Sequence, residues 1–107
     1  MNQDILNKLR QFRHDRDWYQ FHTPKNLAIS ISVESAELLE CFQWYEYPQS
    51  KINQIKEEVA DIAIFLYYFC HDCGIDLEEE MRKKIEKNNR KYPVEKSRGN
   101  ANKYSEL

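Results

Sequence analysis

The sequence predicts an all-α fold, an antiparallel four-helix bundle. Only two Gly and three Pro occur in 107 residues, too few for the turns of an all-β chain. Apolar residues recur at spacings of three and four in four separate stretches. The links between those stretches are short, which sets neighbouring helices antiparallel. A chain of this length makes one domain, 1–107, with a modest core and a polar C-terminal tail from about residue 94.

The first helix is expected from about Gln3 to Asp15. Ile5, Leu9 and Phe12 form its inner line, with Lys8, Arg10 and Arg13 outside. Asp17 to His22 is aromatic without a regular period, a connection suited to lying over something flat. Trp18 and Phe21 there can fill a core or touch a ligand. Thr23-Pro24 starts the second helix, Thr as cap and Pro at the first position. Leu27, Ile31, Glu34, Leu38 and Cys41 share one stripe, and Phe42 to Trp44 close the helix.

Pro48 ends the next connection, and Ser50 is the expected cap of the third helix. Ile52, Ile55, Val59, Ile62, Leu66, Phe69 and Cys73 run along it. Gly74 is the stop. Asp76 and Glu79 make a capping-box pattern for the fourth helix, which carries Met81, Ile85 and Asn88 on one line. Pro93 ends it. The second and third helices have more apolar surface than one small bundle covers, which predicts a homo-oligomer.

The second and third helices also carry two acidic units, Glu34/Glu37 and Glu58/Asp61. Residues three apart share a helix face, about 4.5 Å apart along the axis. Their surroundings are apolar nearly all round, which implies burial. No Lys or Arg lies between Lys25 and Lys51, or between Lys56 and Arg82, so local ion pairs cannot neutralise them. A buried lone carboxylate costs several kcal/mol unless paired, protonated or metal-bound. Facing each other, the two units would make an all-oxygen cage for a hard divalent cation. The bland alternatives are a solvated acidic face, or cations supplied from far along the chain.

Other features narrow the classes. A net charge of −2 gives no global field for nucleic acid. MNQDILNKLRQ lacks an apolar signal region, and the run from Val59 is too short to span a bilayer, so a soluble cytoplasmic protein is expected. Three cysteines make no disulfide framework. Cys70 and Cys73 match C-x-x-C, but core packing outweighs a zinc or redox role for them. No glycine-rich phosphate loop and no G-x-S-x-G occur. No His stands three residues after a Glu, which removes the di-iron version of an acidic bundle. Carboxylate-only ligation suits Mg²⁺ or Mn²⁺, ions that bind phosphate oxygens and activate water. Late in the chain Lys84, Lys87 and Arg90 are either a solvated helix face or a rim for phosphates.

RDWYQFHTPKNLA, SVESAELLECFQW, EEVADIAIFLYYF and KIEKNNRKYPVEKSRGNANKY together cover nearly the whole chain. In that order they resemble the MazG-like all-α nucleotide pyrophosphohydrolases, in particular the dCTP pyrophosphatase-like branch. The resemblance implies Mg²⁺-dependent hydrolysis of a nucleoside triphosphate, a dNTP such as dCTP, to monophosphate and pyrophosphate. It implies metal ligation and catalysis by Glu34, Glu37, Glu58 and Asp61, one of which can serve as base. It implies base recognition by Trp18, His22 and Trp44, and contacts from Asn88 and Tyr92, with Lys84 a candidate for the phosphates. It also implies a tetramer built from dimers. Phe65 stands where close relatives can carry Tyr, which would remove a hydroxyl contact to the sugar. Two other functions compete: a non-catalytic helical interaction module, and hydrolysis of another pyrophosphate metabolite. A pyrophosphate-release screen over dNTPs separates them.

Overall fold

The computed structural model describes residues 2–46 and 48–107. Among these, every regular element is helical. The chain divides into two compact units, Met1–Gly74 and Ile75–Leu107.

The first unit holds three long helices. Helix α1 spans Gln3–Asp15, and the Asn2 side chain caps it by accepting from the Asp4 N–H. A short 3₁₀ turn, Tyr19–Phe21, leads to α2, Pro24–Glu40. Thr23 caps α2 as expected, its hydroxyl accepting from the Asn26 N–H at 3.1 Å. Helix α3 spans Ile52–Asp72 and differs at its start from expectation. A 3₁₀ turn, Gln49–Lys51, feeds into it, and no side chain caps it, so Ser50 is not its cap. The tighter i→i+3 bonding, with Lys51 N–H donating to the Pro48 carbonyl at 2.8 Å, serves instead. Past α3, Gly74 takes φ 68°, a left-handed value that a residue with a Cβ adopts at a cost.

Helices α2 and α3 pack against each other along their length. Two pairs fix α1 on α3. The Tyr68 hydroxyl donates to the Leu9 carbonyl at 2.6 Å, and Arg13 bonds Asp72. Both helices advance four residues between the two pairs, so α1 and α3 run parallel there. Among the described residues the largest fully buried side chains are Leu27 and Cys41, with Tyr68 and Cys70 close behind.

One expectation about burial changes, and another, that apolar surface is in excess, is met. Arg13, assigned to the outer face of α1, is only 4% exposed. Its guanidinium is buried because Asp72, on another helix, pairs it with two bonds of 2.8 Å. Conversely, Ile29, Val33, Leu39 and Val59 on the apolar helices α2 and α3 stay exposed. One helix pair can cover only one face of each member.

In the second unit, α4 spans Leu77–Lys91, capped by Asp76, whose carboxylate accepts from the Glu79 N–H. The expected polar tail contains a helical turn, α5, Val94–Ser97, and a 3₁₀ turn, Tyr104–Glu106. It folds back on the end of α4. Tyr104 meets Tyr92 edge-on at 6.3 Å and lies under the Lys91 ammonium. No described helix is long and apolar enough to cross a membrane.

Candidate active site

Helices α2 and α3 bring three of the four predicted carboxylates together. One oxygen each from Glu34, Glu37 and Glu58 lies within 4.8 Å of the other two. All three residues are half-buried. Glu34 Oε2 and Glu58 Oε2 are shut off from solvent with no hydrogen-bond partner. Two carboxylates have only acceptors to offer each other, so such an arrangement needs a proton or a cation between them.

The proton leaves its signature in the acidities. Burial, then hydrogen bonding to Glu58 and Glu37 and the charges of Glu37 and Asp61, push Glu34 up to about 7. For Glu58 the bond with Glu34 pulls downward. Desolvation, the Glu37 contact and the Asp61 charge outweigh it and leave the acid raised. Both shifts favour keeping a proton on the Glu34–Glu58 pair to higher pH than an isolated carboxyl would. The donor set also fits a hard cation: an oxygen from each of three acids converges, Glu34 Oε2 and Glu58 Oε2 are buried without a donor, and no described Lys or Arg pairs with these acids.

The acidity predicts how stability follows pH. Glu34 folded holds its proton to about 7, and unfolded releases it near 4.5. Between those values the folded state binds more protons, so stability falls as pH rises through the window and then levels. His22, lowered in the fold, works the opposite way below its ordinary value. In EDTA the melting temperature of wild type should fall from pH 5 to 7 relative to that of Glu34→Gln. Parallel curves for the two proteins would refute the shared proton. Millimolar Mg²⁺ should raise the melting temperature most above pH 7, where no proton competes.

Asp61 faces a different space. It lines a cavity of about 300 Å³ with Leu9, Phe12, Trp18, His22, Ile64, Phe65 and Tyr68. That volume is at the lower end for small-molecule sites, which run about 300–1,000 Å³. Asp61 connects the two features, since its charge also acts on Glu34 and Glu58. The walls are aromatic. His22 lies 6.5 Å from Trp18, 6.3 Å from Phe65 and 5.4 Å from Tyr68. His22 Nδ1 is buried without a partner. Burial first, then the Arg13 charge, lower its pKa against the pull of Asp72. The imidazole is thus neutral at pH 7, able to donate from one nitrogen and accept at the other.

Trp18 and His22, which the resemblance implies for base recognition, share one wall of this cavity with Asp61. Trp44 does not: it is 81% exposed and outside this cavity. Phe21 neither fills the core nor lines the cavity. It is 61% exposed, and its carbonyl accepts from Asn26 Nδ2. Lys84, Asn88 and Tyr92 belong to the second unit, where Asn88 is half-buried and its carbonyl accepts from the Tyr92 N–H. Leu9, Phe12 and Tyr68 were missed as lining residues. Their helical spacing reads as core, although Tyr68, seven residues after Asp61, falls on the same face of α3. Cys70 is buried, which raises its thiol and disfavours the thiolate that zinc needs.

The MazG-like family model matches residues 29–107, a span that includes all four acids. The chain belongs to the MazG-like family. Its curated relatives include dCTP pyrophosphatase 1 from Mus musculus, 35% identical over 113 residues. The human protein of that name is 33% identical. These alignments take in 98% of this chain but 66% of each relative's length. A similar solved structure is a pyrophosphatase from Archaeoglobus fulgidus, 44% identical with a TM-score of 0.77. The match covers 85% of this chain and 91% of that one. The all-α architecture is thus that of a known pyrophosphatase structure.

Proposed function

We propose that this chain is a nucleotide pyrophosphohydrolase that cleaves a dNTP, with dCTP the first candidate, to the monophosphate and pyrophosphate. One observation carries the proposal: buried carboxylate oxygens without donors adjoin an aromatic cavity through a shared acid, Asp61. Its relatives, dCTP pyrophosphatase 1 and the Archaeoglobus fulgidus pyrophosphatase, support the same reaction class.

Glu34, Glu37 and Glu58 would hold Mg²⁺, or Mn²⁺, with Asp61 as fourth ligand or as the group that orients water. When bound, the ion neutralises phosphate oxygens and favours in-line attack by water. The chain's own side chains do the rest. Trp18 offers an indole face to a base, a contact worth about 1–3 kcal/mol. Neutral His22 reads a base edge through its free nitrogen. Phe65 contributes a ring without a hydroxyl, so the cavity wall there is apolar. One carboxylate takes the proton as water oxygen bonds to phosphorus and the bridge between α- and β-phosphates breaks. Lys84, Asn88 and Tyr92 remain proposed contacts to phosphate and sugar. Trp44 becomes a base contact in an oligomer, a dimer of dimers closed over Ile29, Val33, Leu39 and Val59. A house-cleaning role in the cytoplasmic nucleotide pool follows from such an activity.

The test is a pyrophosphate-release screen with Mg²⁺ over the common and base-modified dNTPs. Turnover of at least one, dCTP foremost, is expected, and silence on all of them rejects the proposal. Release from a non-nucleotide pyrophosphate instead would keep the acids and discard the base reading. The aromatic cavity weighs against that outcome. In solution the mass should be four times the 13.0 kDa of one chain, and a mass of one chain would reject the oligomer.

A further inference from the structure

We propose that Arg13 is a positioning residue for the nucleotide: clamped to Asp72, it pins the Trp18–His22 turn against α3. The inference rests on the proposed function, because it concerns how that cavity is held open to a base.

The turn needs holding. It supplies two cavity residues, yet it is open to solvent, with Trp18 43%, Tyr19 62% and Phe21 61% exposed. Its ends are tied by backbone and cap. The Trp18 N–H donates to the Arg13 carbonyl at 3.1 Å. Asn26 Nδ2 donates to the Phe21 carbonyl at 3.0 Å. Between those ends Trp18 meets Phe12 edge-on at 5.7 Å and His22 meets Phe65 and Tyr68, and Tyr19 is held by a stack of three groups. The Arg13 guanidinium lies 4.4 Å from the Tyr68 ring centroid and 4.7 Å from that of Tyr19. Tyr68 is 3% exposed, so the order from inside outward is Tyr68, Arg13, Tyr19.

Every partner in the stack is itself fixed. Asp72 holds both guanidinium nitrogens at 2.8 Å, with the two side chains 5% and 7% exposed. Tyr68 is locked by its bond to the Leu9 carbonyl, and its ring lines the cavity 5.4 Å from His22. Arg13 does not line the cavity. It therefore acts through others, presenting Tyr68 on one side and the turn that carries Trp18 and His22 on the other. A planar fork can grip a carboxylate and stack two rings at once, which a lysine ammonium cannot. A wall that is already in place binds a base without the cost of ordering it.

Loosening this stack should weaken nucleotide binding and leave the chemistry at the carboxylates alone. Tyr19→Leu tests that with little risk to folding, since the ring is exposed and outside the cavity. With dCTP and Mg²⁺, KM should rise about fivefold, the size of a partly screened cation–π contact. Turnover number should stay within about twofold, and the melting temperature within about 5 °C. Arg13→Lys, which keeps the charge and loses the fork, should move KM the same way. A folded Tyr19→Leu with wild-type KM overturns the inference, even where Arg13→Lys fails to fold. So does a variant whose turnover number falls as KM stays put. A wild-type control silent on every common dNTP sinks the functional assignment itself, and the anchor with it.

Discussion

Glu37→Gln and Asp61→Asn should each cut pyrophosphate release by about 10³-fold while leaving a folded protein. The magnitude follows from the role proposed for the acids: losing one charged ligand would weaken the hold on the cation and the shielding of phosphate together. Both side chains act electrostatically on Glu34, and Glu37 is one of three converging oxygens. Without metal the cluster is self-repelling, so removing one charge should raise the melting temperature of the empty protein. The same change should shrink the further rise that Mg²⁺ produces. Lower activity with higher stability separates a lost ligand from a damaged fold. Full turnover in both variants would exclude the acids from the reaction.

Arg13→Ala is the most destabilising single change expected in the first unit. It strands the Asp72 carboxylate, whose side chain is 7% exposed, with no partner. Breaking a buried pair from one side costs about 3–5 kcal/mol. Replacing both partners, as Arg13→Met with Asp72→Leu, should recover most of that, because no charge is left unpaired. Urea unfolding at pH 7 reads both values. A loss under about 1 kcal/mol in Arg13→Ala would mean that the pair is hydrated in solution.

The helices were legible because their signals are local. Thr23-Pro24, Gly74, Asp76 and Pro93 each act within a few residues, and each stands where its chemistry requires. The acids were legible for a related reason, the scarcity of cations on either side of them. Arg13 was misplaced because its partner is 59 residues away on another helix. An i,i+3 pattern cannot see such a partner, and arginine defaults to the surface. Ser50 failed as a cap because a 3₁₀ turn had already satisfied the amides that it would have served. The wall formed by Leu9, Phe12 and Tyr68 was hidden by resemblance to ordinary core, since a cavity lining and a packed interior use the same residues. The exposed apolar side of α2 and α3 was foreseen as excess surface, and a single chain leaves it uncovered.

Cys73, at the end of α3, is the only exposed thiol of the three, with Cys41 and Cys70 enclosed. A maleimide dye should accordingly find one address per native chain and three after denaturation. That address lies one residue before Gly74, where the first compact unit ends. Mass spectrometry of the dye count would then score unfolding chain by chain.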